Sequence, residues 1–124
     1  MHAVPGQGEI LGSPGGGRRW LLIVAAPIEA KAVALALGGP SPEGLWRMQS
    51  YGSRFDMVVS GVGKANAAGV TALALDPEQH GGVVNVGIGG ALLMQDGKPC
   101  AHVLDTVVGT ASLFADEGIE NDEG

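Results

Sequence analysis

From Trp20 the chain turns abruptly apolar: residues 21–26 (Leu-Leu-Ile-Val-Ala-Ala) contain no polar position. An unbroken run of that length reads as a strand buried on both faces, as in a parallel sheet. Pro27 then suits a first helical turn, where its missing N–H costs nothing. Ile28, Ala32, Leu35 and Ala36 recur at helical spacing up to Gly38-Gly39-Pro40, which predicts a helix buried along that stripe. Residues 45–51 and 55–60 predict two strands joined around Gly52-Ser53 as a hairpin. An alanine-rich helix is expected over 65–75, stopped at Asp76 because Pro77 disfavours helical geometry before it. Residues 83–86 predict a short central strand, and 102–111 a last one.

Strands alternating with helices predict an α/β fold with a mostly parallel central sheet flanked by helices, and place any ligand at the carboxyl ends of the strands. Three segments end there in small residues, Ala25-Ala26, Ser60-Gly61 and Gly87-Ile88-Gly89-Gly90, which leave room to approach backbone N–H groups. Residues 1–19 hold six glycines and two prolines with little to bury, so a flexible leader is expected there, followed by a single domain over 20–124.

Composition narrows the function classes. The net charge is −6 with only seven basic residues, which gives no footprint for nucleic acid or an anionic membrane surface. The apolar run is far shorter than the ~20 residues that span a bilayer, and Glu29 and Lys31 argue against an export signal. A single cysteine, Cys100, excludes an internal disulfide, and His2, His80 and His102 lack metal-ligand spacing, so a cytoplasmic protein without metal or cofactor is expected.

Gly61-Val62-Gly63-Lys64 invites a phosphate-loop reading and fails it. That motif needs a glycine where Val58 stands and a hydroxyl where Ala65 stands. A dinucleotide fingerprint fails as well, because Asn66 occupies the third glycine position. A plain turn into a helix accounts for the segment equally. Glu29 would favour the positive end of a helix dipole, worth ~0.3–1 kcal/mol. It is also the only carboxylate between Trp20 and Leu37, beside the expected cleft, where an apolar surround suits a carboxylate to general-base work. Three glycines in four residues at 87–90 exceed what a turn requires and imply close approach by another group.

Ile23-Val24-Ala25-Ala26-Pro27-Ile28-Glu29, Ser60-Gly61-Val62-Gly63-Lys64 and Val83 to Ala91, in this order, resemble the landmarks of the purine nucleoside phosphorylase and nucleosidase superfamily. With Phe114-Ala115-Asp116-Glu117-Gly118-Ile119-Glu120-Asn121, the pattern is most similar to the futalosine hydrolases. These enzymes release hypoxanthine from futalosine, leaving dehypoxanthine futalosine for menaquinone biosynthesis. The resemblance implies a nucleosidase-like fold, Glu29 as the catalytic carboxylate that activates water, and Ala25, Val62, Gly87, Ile88, Gly89 and Gly90 as substrate-binding positions.

It also implies a purine nucleoside as the small-molecule partner and a homo-oligomer at full length. Methylthioadenosine/adenosylhomocysteine nucleosidases carry a serine where Ile88 stands, and the hexameric phosphorylases a phosphate-binding arginine where Asn85 stands. A neutral amide does not replace a guanidinium on phosphate, which favours water as nucleophile over those alternatives. The family continues for about as many residues again, with a Met-Glu ribose-binding pair and a late proton donor. No Met-Glu pair occurs here, so the expectation is a truncated chain, inactive alone. A noncatalytic nucleoside-binding module and a structural remnant are the alternatives outside enzymes.

Overall fold

Leu21 through Val24 are all buried, and this continuous burial puts Arg19–Val24 at the centre of a sheet. The structure, a computed structural model, describes residues 2–4 and 14–112. The elements in chain order are β1 (His2–Val4), β2 (Arg19–Val24), α1 (Pro27–Ala36), β3 (Met48–Tyr51), β4 (Phe55–Val59), α2 (Lys64–Ala74), β5 (His80–Val86) and β6 (Thr106–Val108). They fall into two units.

In the first unit, residues 14–89, the sheet order is β3-β4-β2-β5. β2 pairs in parallel with both β4 and β5, and β3 lies antiparallel on β4 as the hairpin partner. The domain is therefore a small α/β unit with a mixed sheet in which the parallel strands lie side by side. Alternate residues of β2 serve the two faces. Leu22 and Val24 pack with Ala30 and Ala34 of α1, Met57 and Val59, while Leu21 and Ile23 pack with Val58 and Val70 of α2. One helix on each face explains why the strand needed no polar position.

The inner stripe of α1 differs from the expected one. Ala30, Val33, Ala34 and Leu37 face the sheet, and Ile28 and Leu35 are 75% and 81% exposed. Both stripes are apolar in sequence, so periodicity could not choose between them. The choice is consistent with the two-residue connection from β2 and with the Glu29 hydrogen bonds described below, which together fix the rotation of the helix. The helix ends in a Schellman turn: Gly38, at φ +74°, donates its N–H to the Leu35 carbonyl, and the Gly39 N–H reaches Ala34.

β5 begins at His80, three residues before the expected start. Gly81 and Gly82 hid this part of the strand, because neither favours β structure on propensity. Their smallness is required by contact, since a Cβ on Gly82 would lie 2.2 Å from the Trp20 ring and one on Gly81 would lie 2.4 Å from Pro14. The compositional boundary at residue 19 falls inside β2, and Pro14 is buried. The leader residues 5–13 and the acidic stretch 113–124 lie outside the described residues.

At the amino ends of the parallel strands, one buried carboxylate ties all four strands together. Asp56 of β4 accepts from Arg19 Nε of β2 (2.6 Å), Ser50 Oγ of β3 (2.6 Å) and His80 Nε2 of β5 (3.1 Å). His80 Nδ1 accepts the Asp76 backbone N–H at 3.0 Å, so the ring hydrogen sits on Nε2 and points at Asp56. Burial works to raise the Asp56 pKa. The hydrogen bonds from Arg19, Ser50 and His80 outweigh it and hold the carboxyl below its ordinary range.

The second unit contains β1 paired antiparallel with β6 and a turn closed by Met94 N–H to Lys98 O (2.7 Å). Only residues 106–108 of the strand expected over 102–111 form one.

Candidate functional site

Each parallel strand of the first unit ends in a turn of small residues: Ala25-Ala26 after β2, Ser60-Gly61 after β4, and Gly87-Ile88-Gly89 after β5. Glu29 links the turns after the adjacent strands β2 and β5. It stands at the third position of α1, and its Oε2 accepts the Ala26 N–H at 3.0 Å. That is half of a capping box. The reciprocal half needs a side-chain oxygen at residue 26, which alanine lacks.

The other carboxylate oxygen, Oε1, reaches across to the next strand end and accepts the Ile88 N–H at 2.9 Å. Gly87 makes this contact possible, because a Cβ there would lie 3.0 Å from Oε1. The close approach expected at the glycine turn is thus made by Glu29 itself, and only at Gly87. A Cβ on Gly89 or Gly90 would meet no atom within 4 Å, and neither glycine has positive φ.

A carboxylate offers about four lone-pair positions. The two backbone bonds to Glu29 leave positions on both oxygens that can accept from a water or a sugar hydroxyl. The residue is half-buried.

Of the other expected site residues, Ala25 lies half-buried directly after β2. Val62 is exposed on the β4–α2 turn at the same sheet edge, where its carbonyl accepts from Asn66 Nδ2 at 2.8 Å. Ile88 contributes its backbone N–H, and its side chain is 90% exposed. Gly90 belongs to the second unit. Asn85 sits on the α2 face of β5, in a hollow of about 500 Å³ lined also by Ile23, Ala67, Thr71 and Val83, and not by Glu29 or the glycine turn.

Two contributors had no signature in the sequence. The Ala26 N–H could not be foreseen as a partner of Glu29 from residue type, although a glutamate two residues after Pro27 is the spacing at which such a bond forms. Trp46 sits beside the end of β4, its N–H bonded to Val59 O and its indole Nε1 to Ser60 O, both at 2.8 Å. Its φ is +62°, a left-handed backbone that costs a non-glycine residue ~1–2 kcal/mol.

Among the described residues no group of three or more His, Cys, Asp or Glu side chains could hold a metal ion, and no helix is long and apolar enough to cross a membrane. Comparison with protein-family models, with curated proteins and with solved structures returns no match for this chain.

Proposed function

We propose that the first unit carries the water-activating side of a purine nucleoside N-glycosidase site, of the futalosine hydrolase kind. The observation that supports this reading is the Glu29 carboxylate, held by two backbone N–H groups from adjacent strand ends at 3.0 and 2.9 Å. It lies at the sheet edge where open α/β sheets take ligands.

In the proposed reaction a water bound to an open lone pair of Glu29 gives it a proton as the oxygen attacks the anomeric carbon. The bond to the purine nitrogen breaks, and its electron pair leaves with the base, which takes a proton from solvent water. Positive charge develops on the ribose as the bond lengthens, and the same carboxylate stabilises it. The glycine turn at 87–89 admits the sugar and base to the backbone beside Glu29.

One specific observation favours a second reading. Both Glu29 oxygens already accept backbone hydrogen bonds, as they would in a purely structural clip between two turns. The readings separate on a purine nucleoside whose sugar ring carries a protonated nitrogen, a mimic of the developing cation. Glycosidase geometry predicts that the full chain binds it at least about tenfold tighter than inosine in calorimetric titration, since cation mimics gain from groups built for the transition state. Glu29→Gln should abolish that preference. Equal affinity for the two compounds in the unaltered chain would leave only the clip.

A further inference from the structure

The Glu29 carboxylate bridges equivalent places in two turns. Val24 and Val86 are paired at the ends of β2 and β5, and the two residues that donate to Glu29, Ala26 and Ile88, each stand two positions beyond that pair. Between strand and donor lies Ala25 in one turn and Gly87 in the other. Only the β5 side dispenses with a Cβ, and backbone conformation is not the reason. Gly87 has no positive φ, so its backbone does not call for glycine.

A side chain at 87 would meet the carboxylate itself. The three atoms nearest to an added Cβ all belong to Glu29: Oε1 at 3.0 Å, Cδ at 3.6 Å and Oε2 at 3.8 Å. The carboxylate therefore lies across Gly87. Relieving the closest contact requires Oε1 to shift by a few tenths of an ångström, and Oε1 is the atom held at 2.9 Å by the Ile88 N–H.

We infer that Gly87 is a positioning residue, whose missing Cβ sets where the Glu29 carboxylate rests between the two strand ends. It acts through Glu29 and not by contact with the ligand. What the position serves rests on the N-glycosidase reading: a carboxylate pushed off Ile88 no longer stands where the attacking water and the developing ribose cation need it. Misplacement of a reacting group by about 1 Å costs roughly a hundredfold.

The test is a graded series, Gly87→Ala and Gly87→Val, made alone and in a Glu29→Ala background. Hydrogen exchange at the Ile88 amide, corrected for the intrinsic effect of residue 87, reads the place of the carboxylate. Gly87→Val should speed that exchange about tenfold, the scale of one lost hydrogen bond to a charged group, with Gly87→Ala in between. In the Glu29→Ala background neither substitution should change the rate by more than about twofold. Calorimetric titration of the full chain supplies the second readout. Its preference for the sugar-cation mimic over inosine, expected to be at least about tenfold, should fall to near one in Gly87→Val. A residue that merely supported the turn would weaken both ligands alike and leave the ratio unchanged.

The half-buried Trp20, packed on Gly82, reports through near-ultraviolet dichroism that each variant is folded. Unchanged Ile88 exchange in folded Gly87→Val, or equal acceleration when Glu29 is already absent, overturns the inference. A preserved ligand preference with accelerated exchange overturns it as well. Should Gly87→Val fail to fold, folding restored by Glu29→Ala supports the contact, and a double variant that also fails overturns it. No preference in the unaltered chain overturns the glycosidase reading alone, and the exchange series then decides whether Gly87 places the carboxylate.

Discussion

The two ends of the parallel strands hold their charged groups in contrasting ways. At the amino ends, Asp56 is buried with three side-chain donors around it, one from each of the other strands, and Arg19 also bonds to the Gly52 carbonyl at 3.0 Å. At the carboxyl ends, Glu29 is half-buried, and among the described residues its hydrogen bonds come from two backbone N–H groups. A buried carboxylate surrounded by side-chain donors is closed off from solvent and serves the fold. One supported from behind by backbone donors is held in place and still has a free face. The sheet thus carries a closed, buried carboxylate at one end of its parallel strands and a half-buried one at the other.

The sharpest way to break this contrast is Asp56→Ala. Removing one partner from a buried charged cluster leaves the others desolvated and unpaired. Because Arg19 is partly exposed, the expected loss is about 3 kcal/mol, at the lower end for buried pairs, read as a lower urea midpoint.

The same cluster predicts a direction in pH. The Asp56 pKa is depressed in the folded chain, so the folded state binds fewer protons at this group than the unfolded state does. Its contribution is fully present above the unfolded aspartate pKa of about 3.9 and is lost as pH falls through the lower, folded value. The urea midpoint should therefore decline in acid below about pH 4. Asp56→Asn should flatten that part of the profile, and an identical acid limb in the variant would assign the loss to other carboxylates.

Glu29→Ala removes two hydrogen bonds at a partly exposed site, for an expected cost of about 1 kcal/mol by the same urea measurement. The cost is a fraction of that for Asp56→Ala, although both positions lose a carboxylate. Equal losses at the two positions would erase the distinction between the two ends of the sheet.

The order of elements was legible because it follows from local rules. The apolar run at 21–26, Pro27, the glycines at 38–39, the hairpin turn and Pro77 each punctuate the chain as their chemistry dictates. Glu29 and the Gly87-Ile88 turn each stood out singly, as a lone carboxylate and clustered glycines in an apolar chain, but their meeting through the Ile88 N–H did not. The Asp56 cluster was not, because its members lie 19, 50, 56 and 80 residues along the chain and meet only when the sheet forms. Trp46 was hidden for a related reason: nothing in its neighbours signals a left-handed backbone at a bulky residue. His80 was an isolated histidine in the sequence and became a tautomer-defined donor only when β5 was extended back to include it.

The smallest expected effect tests the rotation of α1 that aims Glu29. Ile28, Ala32 and Leu35 form an apolar stripe in sequence as convincing as Ala30, Val33, Ala34 and Leu37, but only the second stripe meets the sheet. If Glu29 sets this rotation through Ala26 and Ile88, then Leu35→Gln changes stability by no more than about 0.5 kcal/mol, the range of surface substitutions. Ala34→Leu forces three extra carbons into a closed contact between helix and sheet and should cost ~1–3 kcal/mol. A reversal of those magnitudes would mean the helix is turned by roughly half a circle, given ~100° per residue. Glu29 would then point away from Ile88, and the carboxyl end of the sheet would lose the charged group that distinguishes it.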